Sequence, residues 1–189
     1  MPFPLLTARL IIEPLRLSDV DDFVSYRRDP EISRYQGWDE NFSHQQAQEL
    51  INSQGGGDFP QVGEWLQLAV RERVNGKLLG DLALHRLEDL DGVFELGFTI
   101  AKQHQRLGYA KESIGALIDY LPTQIKVDKF FAQTDRRNLA SIRLLLALNF
   151  FPNHSKSYCE QFKGEMVFVE YFERPFQVMT SIGKNMVRD

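Results

Sequence analysis

The chain has 189 residues, 43% of them hydrophobic and 12% aromatic, so it can fill one substantial core and is not a disordered chain. Its formal net charge of −4 argues against nucleic-acid binding as the main task, because nucleic acids select basic surfaces. The single cysteine, Cys159, excludes an internal disulfide and a cysteine metal cluster. We see no signal-peptide pattern and no apolar run of about 20 residues, so we expect a cytoplasmic protein with no membrane partner.

The first third of the chain is predicted to alternate between strand and helix. A strand is expected over residues 9–17 and a helix over residues 18–28. The capping-box pattern that begins at Ser43 predicts a second helix ending near Ser53. The glycine run at 55–57 follows a helix and precedes no Gly-Lys-Ser/Thr, so it is predicted to be a flexible connector and not a P-loop.

The middle of the chain is predicted to be an antiparallel meander. Residues 64–73 and 77–87 read as two strands, and the Asn-Gly pair at 75–76 between them is a strong signal for a tight hairpin turn. A third strand, Val93–Ile100, alternates cleanly, with aromatic and aliphatic residues on one face and Glu95 on the other.

The remaining elements complete a strand–helix–strand–helix–strand pattern. They are a helix over 110–121 that Pro122 stops, a strand over 130–134, a helix over 139–148 and a hairpin-like pair over 149–159 and 165–172. Residues after 174 are expected to form a poorly ordered tail or an added short helix. Periodicity alone predicts one mixed α+β domain with one sheet and helices on both of its faces.

The loop at residues 105–110, with the sequence Gln-Arg-Leu-Gly-Tyr-Ala, joins the third meander strand to the next helix. Such a loop can turn several main-chain N–H groups toward one point. The helix N-terminus adds partial positive charge there, so the loop can bind a phosphate or pyrophosphate. Gly108 allows close approach or a positive φ, and the small Ala110 leaves room at the helix start. An ordinary glycine turn that caps a helix is the alternative.

This loop and its flanks resemble the GNAT superfamily of acyl-CoA-dependent N-acetyltransferases. The segments that carry the resemblance are Val93–Ile100, residues 105–112 and residues 135–150. Two further segments, at residues 6–15 and 28–32, are similar to the branch that includes ribosomal-protein N-terminal acetyltransferases.

The resemblance implies a GNAT fold, in which a mostly antiparallel central sheet splays apart where the pantetheine arm of acetyl-CoA lies. It implies a single domain over residues 1–189, with a core at about 5–172 and a C-terminal tail at 173–189. The implied activity is transfer of an acetyl group from the cosubstrate acetyl-CoA to a primary amine, by direct attack in a ternary complex. The acceptor is a protein N-terminal α-amine or a small-molecule amine. His85 and His104 have no metal-ligand partners at useful spacing, so no metal is predicted.

The resemblance also assigns residues to the cofactor. A main-chain N–H of Gly97 or Thr99 would stabilise the oxyanion on the thioester carbonyl, and such a donor lowers a barrier by roughly 3–4 kcal/mol. Asn138 and Ser141 lie one helical turn apart, where they would face the cofactor arm. The full cofactor-binding set is Gly97, Phe98, Thr99, Gln105, Arg106, Leu107, Gly108, Tyr109, Ala110, Asn138 and Ser141.

Glu95 is predicted to be the catalytic base, acting directly or through a water. An amine with a reference pKa of about 10.4 (lysine-like) or about 7.7–8.0 (α-amine) must lose a proton before it attacks. Pairing with an arginine or binding of the substrate ammonium is the alternative role for Glu95. Ser141 is the predicted catalytic acid, because Leu145 stands where many relatives carry a tyrosine. The alternative is that Ser141 is an early helix residue whose hydroxyl only forms a hydrogen bond with a main-chain group.

Tyr35 and Trp38 are predicted to bind the substrate, because relatives build their acceptor pocket from this segment, although covering the sheet would also explain them. Arg136 and Arg137 either meet the adenosine 3′-phosphate or stay solvated. Residues 168–176 are rich in aromatics, and the chain is expected to be a monomer or a homodimer.

The sequence is also compatible with two other functions. Arg106 follows Gln105 where many relatives have a glycine, which keeps a non-catalytic acyl-CoA-binding regulatory protein in consideration. A scaffold that only binds a partner protein is the third reading.

Overall fold

The computed structural model describes residues 2–54 and 59–176. Five α-helices and nine β-strands are described, with short 3₁₀ turns between some of them. The helices are α1 (Val20–Arg27), α2 (Pro30–Ser33), α3 (His44–Asn52), α4 (Tyr109–Tyr120) and α5 (Leu139–Ala147). The strands are β1 (Leu5–Leu6), β2 (Leu10–Pro14), β3 (Trp65–Glu72), β4 (Leu78–Arg86), β5 (Val93–Ile100), β6 (Lys129–Asp135), β7 (Phe151–Pro152), β8 (Tyr158–Phe162) and β9 (Glu165–Pro175).

These strands form a single sheet in the order β1-β2-β3-β4-β5-β6-β9-β7, with β8 also paired to β9. Neighbouring strands are antiparallel except β5 and β6, which run parallel. A parallel pair needs a crossover connection, and α4 supplies it here. The predicted mixed α+β fold with one mostly antiparallel sheet is confirmed.

Helices cover both faces of this sheet, as the sequence predicts. On one face α4 and α5 pack over the larger core, where Phe94, Phe130 and Phe150 are completely buried. On the other face α1 and α3 pack over a smaller cluster around Phe23 and Phe42. Full burial of one such side chain contributes about 1.5–3 kcal/mol, so both layers stabilise the fold. None of the helices in residues 2–54 and 59–176 is long and apolar enough to cross a bilayer.

The elements on either side of the loop at residues 105–110 lie where the sequence predicts them. β5 has the predicted bounds, and α4 begins at Tyr109, directly after Gly108. The capping box of α3 is also confirmed. The Ser43 hydroxyl accepts a hydrogen bond from Gln46 N at 3.2 Å, and Gln46 Oε1 accepts one from Ser43 N at 2.8 Å.

The predicted strand over residues 149–159 is wrong. Its two ends form β7 and β8, which are separated by a 3₁₀ turn at His154–Lys156. Asn153 favours this turn, because its side-chain oxygen accepts a hydrogen bond from Ser155 N at 3.2 Å. A local side-chain bond of this kind competes with strand pairing, and apolar periodicity does not report it.

The predicted start of the C-terminal tail at residue 173 is too early. β9 continues to Pro175 and pairs with β6 along that whole length. The glycine connector at 55–57 and the rest of the predicted tail, from residue 177, lie outside the described residues.

Candidate active site

A cleft opens in the sheet between β5 and β6. These strands pair at only three positions. The first pair is Val93 with Lys129, and the last is Glu95 with Phe131. Beyond Glu95, β5 stays paired with β4, and β6 stays paired with β9. Each strand therefore follows a different neighbour and the two diverge. This is the splay that the sequence resemblance predicts.

The main-chain donors on one edge of β5 face away from β4, toward this cleft. In an antiparallel pair, every second residue directs both its N–H and its C=O to the partner strand. Ala101 N donates to Leu79 O at 2.9 Å, which fixes the alternation along β5. Gly97 and Thr99 therefore direct their N–H groups to β4, and the N–H of Phe98 points into the cleft. The expectation that Gly97 or Thr99 supplies the oxyanion donor is wrong, because it did not account for this alternation.

The loop at residues 105–110 lies at the end of the cleft and has an anion-binding geometry. Arg106 and Gly108 both have positive φ, 63° and 83°, so two residues of this short loop adopt the left-handed main-chain conformation. Gly108 is the N-cap of α4 and has no side chain to occupy the first N–H groups of the helix. Gln105 Nε2 holds the loop by donating to Ile100 O at 2.9 Å. The exposed helix N-terminus suits a pyrophosphate.

Arg9 lies against this loop, which the sequence interpretation did not anticipate. Its Nη1 donates to Leu107 O at 3.0 Å, and its guanidinium carbon lies 4.6 Å from the centre of the Tyr109 ring. Its Nε donates to Glu112 Oε2 at 2.7 Å. Glu112 is an acidic residue in the first turn of α4, and this ion pair compensates its charge beside an anion site.

Hydrogen bonding at this ion pair favours the ionised carboxylate. Burial of Glu112 opposes ionisation, but the bonds from Thr7 and Arg9 outweigh it and hold the Glu112 pKa below its usual range. The Thr7 hydroxyl donates to Glu112 Oε1 at 2.6 Å. Thr7 and Arg9 each lie more than a hundred positions from Glu112 in sequence, so no local pattern links them to it.

A cavity of about 560 Å³ lies on the α1–α3 face of the sheet and extends to Gln133 of β6, so it meets the cleft. The strand registers place the residues of β3, β4 and β5 on this face, which forms the cavity floor, in rows, and all of the residues in these rows except His85 and Ala69 line the cavity. The rows are Trp65, His85 and Glu95; then Gln67, Ala83 and Gly97; then Ala69, Asp81 and Thr99. Gly97 keeps the middle row open, because a Cβ added there would lie 3.2 Å from the Ala83 Cβ.

Glu95 lies at one end of this floor and is held from two sides. Its Oε1 accepts a hydrogen bond from Gln133 Nε2 at 3.2 Å, and its Oε2 lies 3.4 Å from His85 Nδ1. The Glu95 side chain is 21% exposed, so an amine in the cavity can reach it. Among the described residues, no arginine contacts it, which removes one of the alternative roles considered for Glu95.

Asp81 lies at the other end of the floor and is fully enclosed. It accepts hydrogen bonds from the Tyr26 hydroxyl and from Gln67 Nε2, and Arg27 Nη2 lies 3.4 Å from its Oδ2. Burial raises the pKa of Asp81, although Arg27 and both donors favour its ionised form. Burial and the charge of Asp81 also raise the Tyr26 pKa well above its usual value. This carboxylate is therefore a structural group beneath the cavity.

Trp38 lines the cavity and Tyr35 does not, and contact of either residue with a substrate stays a prediction. The guanidinium carbon of Arg27 lies 3.6 Å from a Trp38 ring centre, and Trp38 Nε1 donates to Arg27 O at 3.2 Å. Lys163, at the β8–β9 turn, donates from Nζ to Ser33 O at 2.7 Å and also to Trp38 O. The hairpin thereby fixes the wall that carries Trp38. Tyr35 packs near Arg34, with 5.3 Å from the guanidinium carbon to its ring centre.

Asn138 and Ser141 begin α5 on the far side of the cleft. Asn138 is the N-cap, and its Oδ1 accepts a hydrogen bond from Ser141 N at 3.2 Å, which leaves its amide donor for another partner. Ser141 is buried, and Leu145 is part of the larger core. Their predicted contacts with the cofactor and with the leaving thiolate stay predictions.

Arg136 and Arg137 are occupied by carboxylates. Arg136 Nε donates to Glu170 at 2.8 Å, and Arg137 forms a bidentate pair with Asp135 and contacts Glu165 at 2.9 Å. These pairs argue against a role for either arginine in binding the 3′-phosphate. Within the two described ranges, no three His, Cys, Asp or Glu side chains are grouped closely enough to hold a metal ion.

Comparisons with known proteins agree with this geometry. Residues 9–150 match the family described as the acetyltransferase (GNAT) domain. An uncharacterized N-acetyltransferase, p20 of Bacillus licheniformis, is 26% identical over 89% of this chain and 93% of its own length.

Two solved structures are similar to this fold. The spermidine N-acetyltransferase of Vibrio cholerae, in complex with CoA and spermine, has a TM-score of 0.76 at 19% identity, over 89% of this chain and 96% of its own. A ribosomal L7/L12 α-N-protein acetyltransferase in complex with coenzyme A has a TM-score of 0.72 at 13% identity, over 89% and 95%. At these identities the likeness concerns the fold. The family match, the splayed sheet and the loop at residues 105–110 together establish that the chain belongs to the GNAT family and is an N-acetyltransferase.

Proposed function

We propose that this N-acetyltransferase uses acetyl-CoA and acetylates a primary amine bound in the cavity beside Glu95. The observation that carries the proposal is the position of β5. One edge of this strand directs the Phe98 N–H into the cleft, and one face directs Glu95 into the cavity. A cosubstrate in the cleft and an amine in the cavity would therefore meet at the same strand.

The residues present fit acetyl-CoA. The start of α4 at Gly108 would hold the pyrophosphate, and Arg9 would add a nearby cation. The Asn138 amide would face the pantetheine arm from the other side of the cleft. Acetyl-CoA supplies a thioester, whose acetyl group the amine receives. The Phe98 N–H is the donor for the oxyanion that develops on the thioester carbonyl.

Glu95 is proposed to take the proton that the amine loses, directly or through a water. His85 and Gln133 each contact one oxygen of the Glu95 carboxylate, which has about four lone-pair sites, so it keeps the capacity to accept a further hydrogen. The amine is proposed to attack acetyl-CoA directly in a ternary complex, because the cleft and the cavity are continuous. An acyl-cysteine intermediate is not part of the proposal, because Cys159 lies outside the cavity. The thiolate leaves with a pKa around 8.5, and Ser141 is the proposed donor of its proton.

The acceptor is proposed to carry one positive charge at this site, as a protein N-terminal α-amine or a small monoamine does. Glu95 is the one cavity carboxylate among the described residues that is accessible, because Asp81 is enclosed with Arg27. We further propose that the enzyme acts in the cytoplasm as a monomer or homodimer, without nucleic-acid or membrane partners.

Thiol release from acetyl-CoA, with mass spectrometry of the products, tests this function. The panel would contain a peptide with a free N-terminus, the same peptide N-terminally blocked, a short monoamine and spermidine. The proposal expects acetylation of the free peptide or the monoamine and an added mass of one acetyl group on the amine. Tight acetyl-CoA binding without turnover of any amine would instead favour the non-catalytic regulatory protein, and absence of both would contradict an acetyl-CoA-dependent enzyme.

A further inference from the structure

The two contacts on Glu95 come from opposite sides of the strand that carries it. Gln133 reaches Oε1 from β6, across the start of the splay, and its own Oε1 accepts a hydrogen bond from the Tyr158 hydroxyl at 3.0 Å. His85 reaches Oε2 from β4, where it is the registered partner of Glu95. Both carboxylate oxygens therefore have a partner outside the reacting region, and the orientation of the carboxyl plane is fixed by β4 and β6 together.

His85 is itself held by an aromatic stack. Its ring lies 4.4 Å from the Trp65 ring, centre to centre, with the planes 8° apart. Trp65 is the registered partner of His85 on β3, so the three side chains form one row across three strands. A stacked ring cannot turn freely, so its Nδ1 keeps facing Glu95. The proposed activity has no other use for His85.

We propose that His85 is a positioning residue for catalysis, which donates from Nδ1–H to Glu95 Oε2 and keeps the carboxylate directed at the amine. The inference rests on the proposed function of Glu95 as the base. In this proposal the row of Trp65, His85 and Glu95 acts as one unit that orients the base. Trp65 fixes the imidazole, the imidazole fixes the carboxylate, and the carboxylate meets the substrate. Accurate placement of a reacting group can account for a large part of a rate enhancement.

A double-mutant cycle tests this assignment. His85→Ala in the native background is expected to lower kcat about tenfold, with the KM for acetyl-CoA unchanged within about twofold. In the Glu95→Gln background the same change is expected to alter kcat less than about twofold, because the base that His85 positions is already absent. Equal losses in both backgrounds would overturn the proposal.

A conservative variant separates hydrogen bonding from packing. His85→Asn keeps an N–H donor near the position of Nδ1, so it is expected to recover most of the kcat lost in His85→Ala. An Asn variant as slow as the Ala variant, with the same thermal stability as the native enzyme, would overturn the hydrogen-bond assignment. The matched control is His154→Asn, which alters an exposed histidine 3.8 Å from Glu170 and is expected to leave kcat unchanged.

The outcomes distinguish this inference from the function on which it rests. Failure of the native enzyme to acetylate any amine in the panel overturns both. Turnover that Glu95→Gln leaves unchanged overturns the base assignment and the role of His85, while N-acetylation itself stands. Turnover that Glu95→Gln abolishes but His85→Ala leaves intact overturns only the positioning role.

Discussion

The cleft proposed for the cofactor and the cavity proposed for the acceptor adjoin the same strand, but they are built from different kinds of groups. The cleft uses main-chain groups, namely the Phe98 N–H and the N-terminus of α4 behind Gly108. The cavity uses residues from four strands, from helices α1 and α3 and from the segments that follow α2 and α3, with Glu95 at one end and the Asp81–Arg27 pair at the other. Main-chain groups resist substitution, whereas side chains can be exchanged one at a time.

This difference predicts that the two sites can be damaged separately. Changes at the loop should weaken acetyl-CoA binding and leave the cavity intact. Changes in the cavity should lower kcat or raise the KM for the amine without affecting acetyl-CoA. The substitutions below test that separation, from the largest expected effect to the smallest.

Gly108→Trp is expected to abolish acetyl-CoA binding. Gly108 has φ 83°, and a Cβ there would lie 3.3 Å from Arg9 Nη2, so a large side chain would block the loop and displace Arg9. Acetyl-CoA at about 100 times its Kd should stabilise the native protein by about 2.7 kcal/mol and the variant not at all, as thermal melts would show. Gly76→Trp is the control, because Gly76 also has positive φ, 73°, but faces open space in the turn between β3 and β4. Stabilisation of the Gly108 variant by acetyl-CoA would show that the loop is not the binding site.

Glu95→Gln is expected to lower kcat by about 10²–10⁴, the usual contribution of a positioned base, without changing acetyl-CoA affinity. Steady-state kinetics at saturating acetyl-CoA would measure the loss. Glu88→Gln, at an exposed position before β5, is the matched control. A kcat within threefold of the native value would leave the binding of the amine as the remaining role for Glu95.

Lys163→Met is expected to raise the KM for the amine about three- to tenfold, with little change in kcat. Lys163 Nζ holds the wall of the cavity through Ser33 O and Trp38 O, and loss of both bonds would release Trp38. Partial desolvation of the ammonium group lowers the Lys163 pKa. Lys156→Met removes an exposed lysine of the same hairpin region and serves as control. An unchanged amine KM would mean that the hairpin does not shape the cavity.

Glu112→Gln is expected to give the smallest change, a loss of about 1–2 kcal/mol in the free energy of unfolding at pH 7. The Glu112 pKa is lowered by folding, so its stabilising contribution is present above the unfolded-state pKa and disappears as the pH falls through the lower folded-state value. The difference between native and variant should therefore narrow below about pH 4. Denaturant titrations at several pH values measure it, and a difference that widens in acid would contradict the assignment.

Much of the cofactor cleft could be predicted from the sequence, because its signals are local. Strict alternation defines β5, and a glycine between a strand and a helix marks the loop at residues 105–110. The direction of each N–H on β5 was beyond such signals. It depends on the register with β4, which is a pairing between distant segments, so the sequence pointed to Gly97 and Thr99, although it is the Phe98 N–H that faces the cleft.

The acceptor cavity could be predicted only in part. Glu95 was identifiable as an acid within an apolar strand, and Trp38 through the family resemblance. Arg9, His85, Gln133 and Lys163 acquire their roles from contacts that join distant parts of the chain, such as Lys163 with Ser33. Asp81 could have been noticed as an acid inside the apolar strand β4, the same signal that identified Glu95. The enclosure of Asp81 by Arg27 could not have been predicted, because it depends on how α1 packs on the sheet.

One titration tests the separation of the two sites most directly: acetyl-CoA added to the native protein, to Glu95→Gln and to Gly108→Trp in a calorimeter. We predict equal, micromolar-range binding by the native protein and the Glu95 variant, and no binding by the Gly108 variant. Binding lost in the Glu95 variant, or retained at native affinity in the Gly108 variant, would contradict the assignment of the cleft to the cosubstrate and of the cavity to the amine.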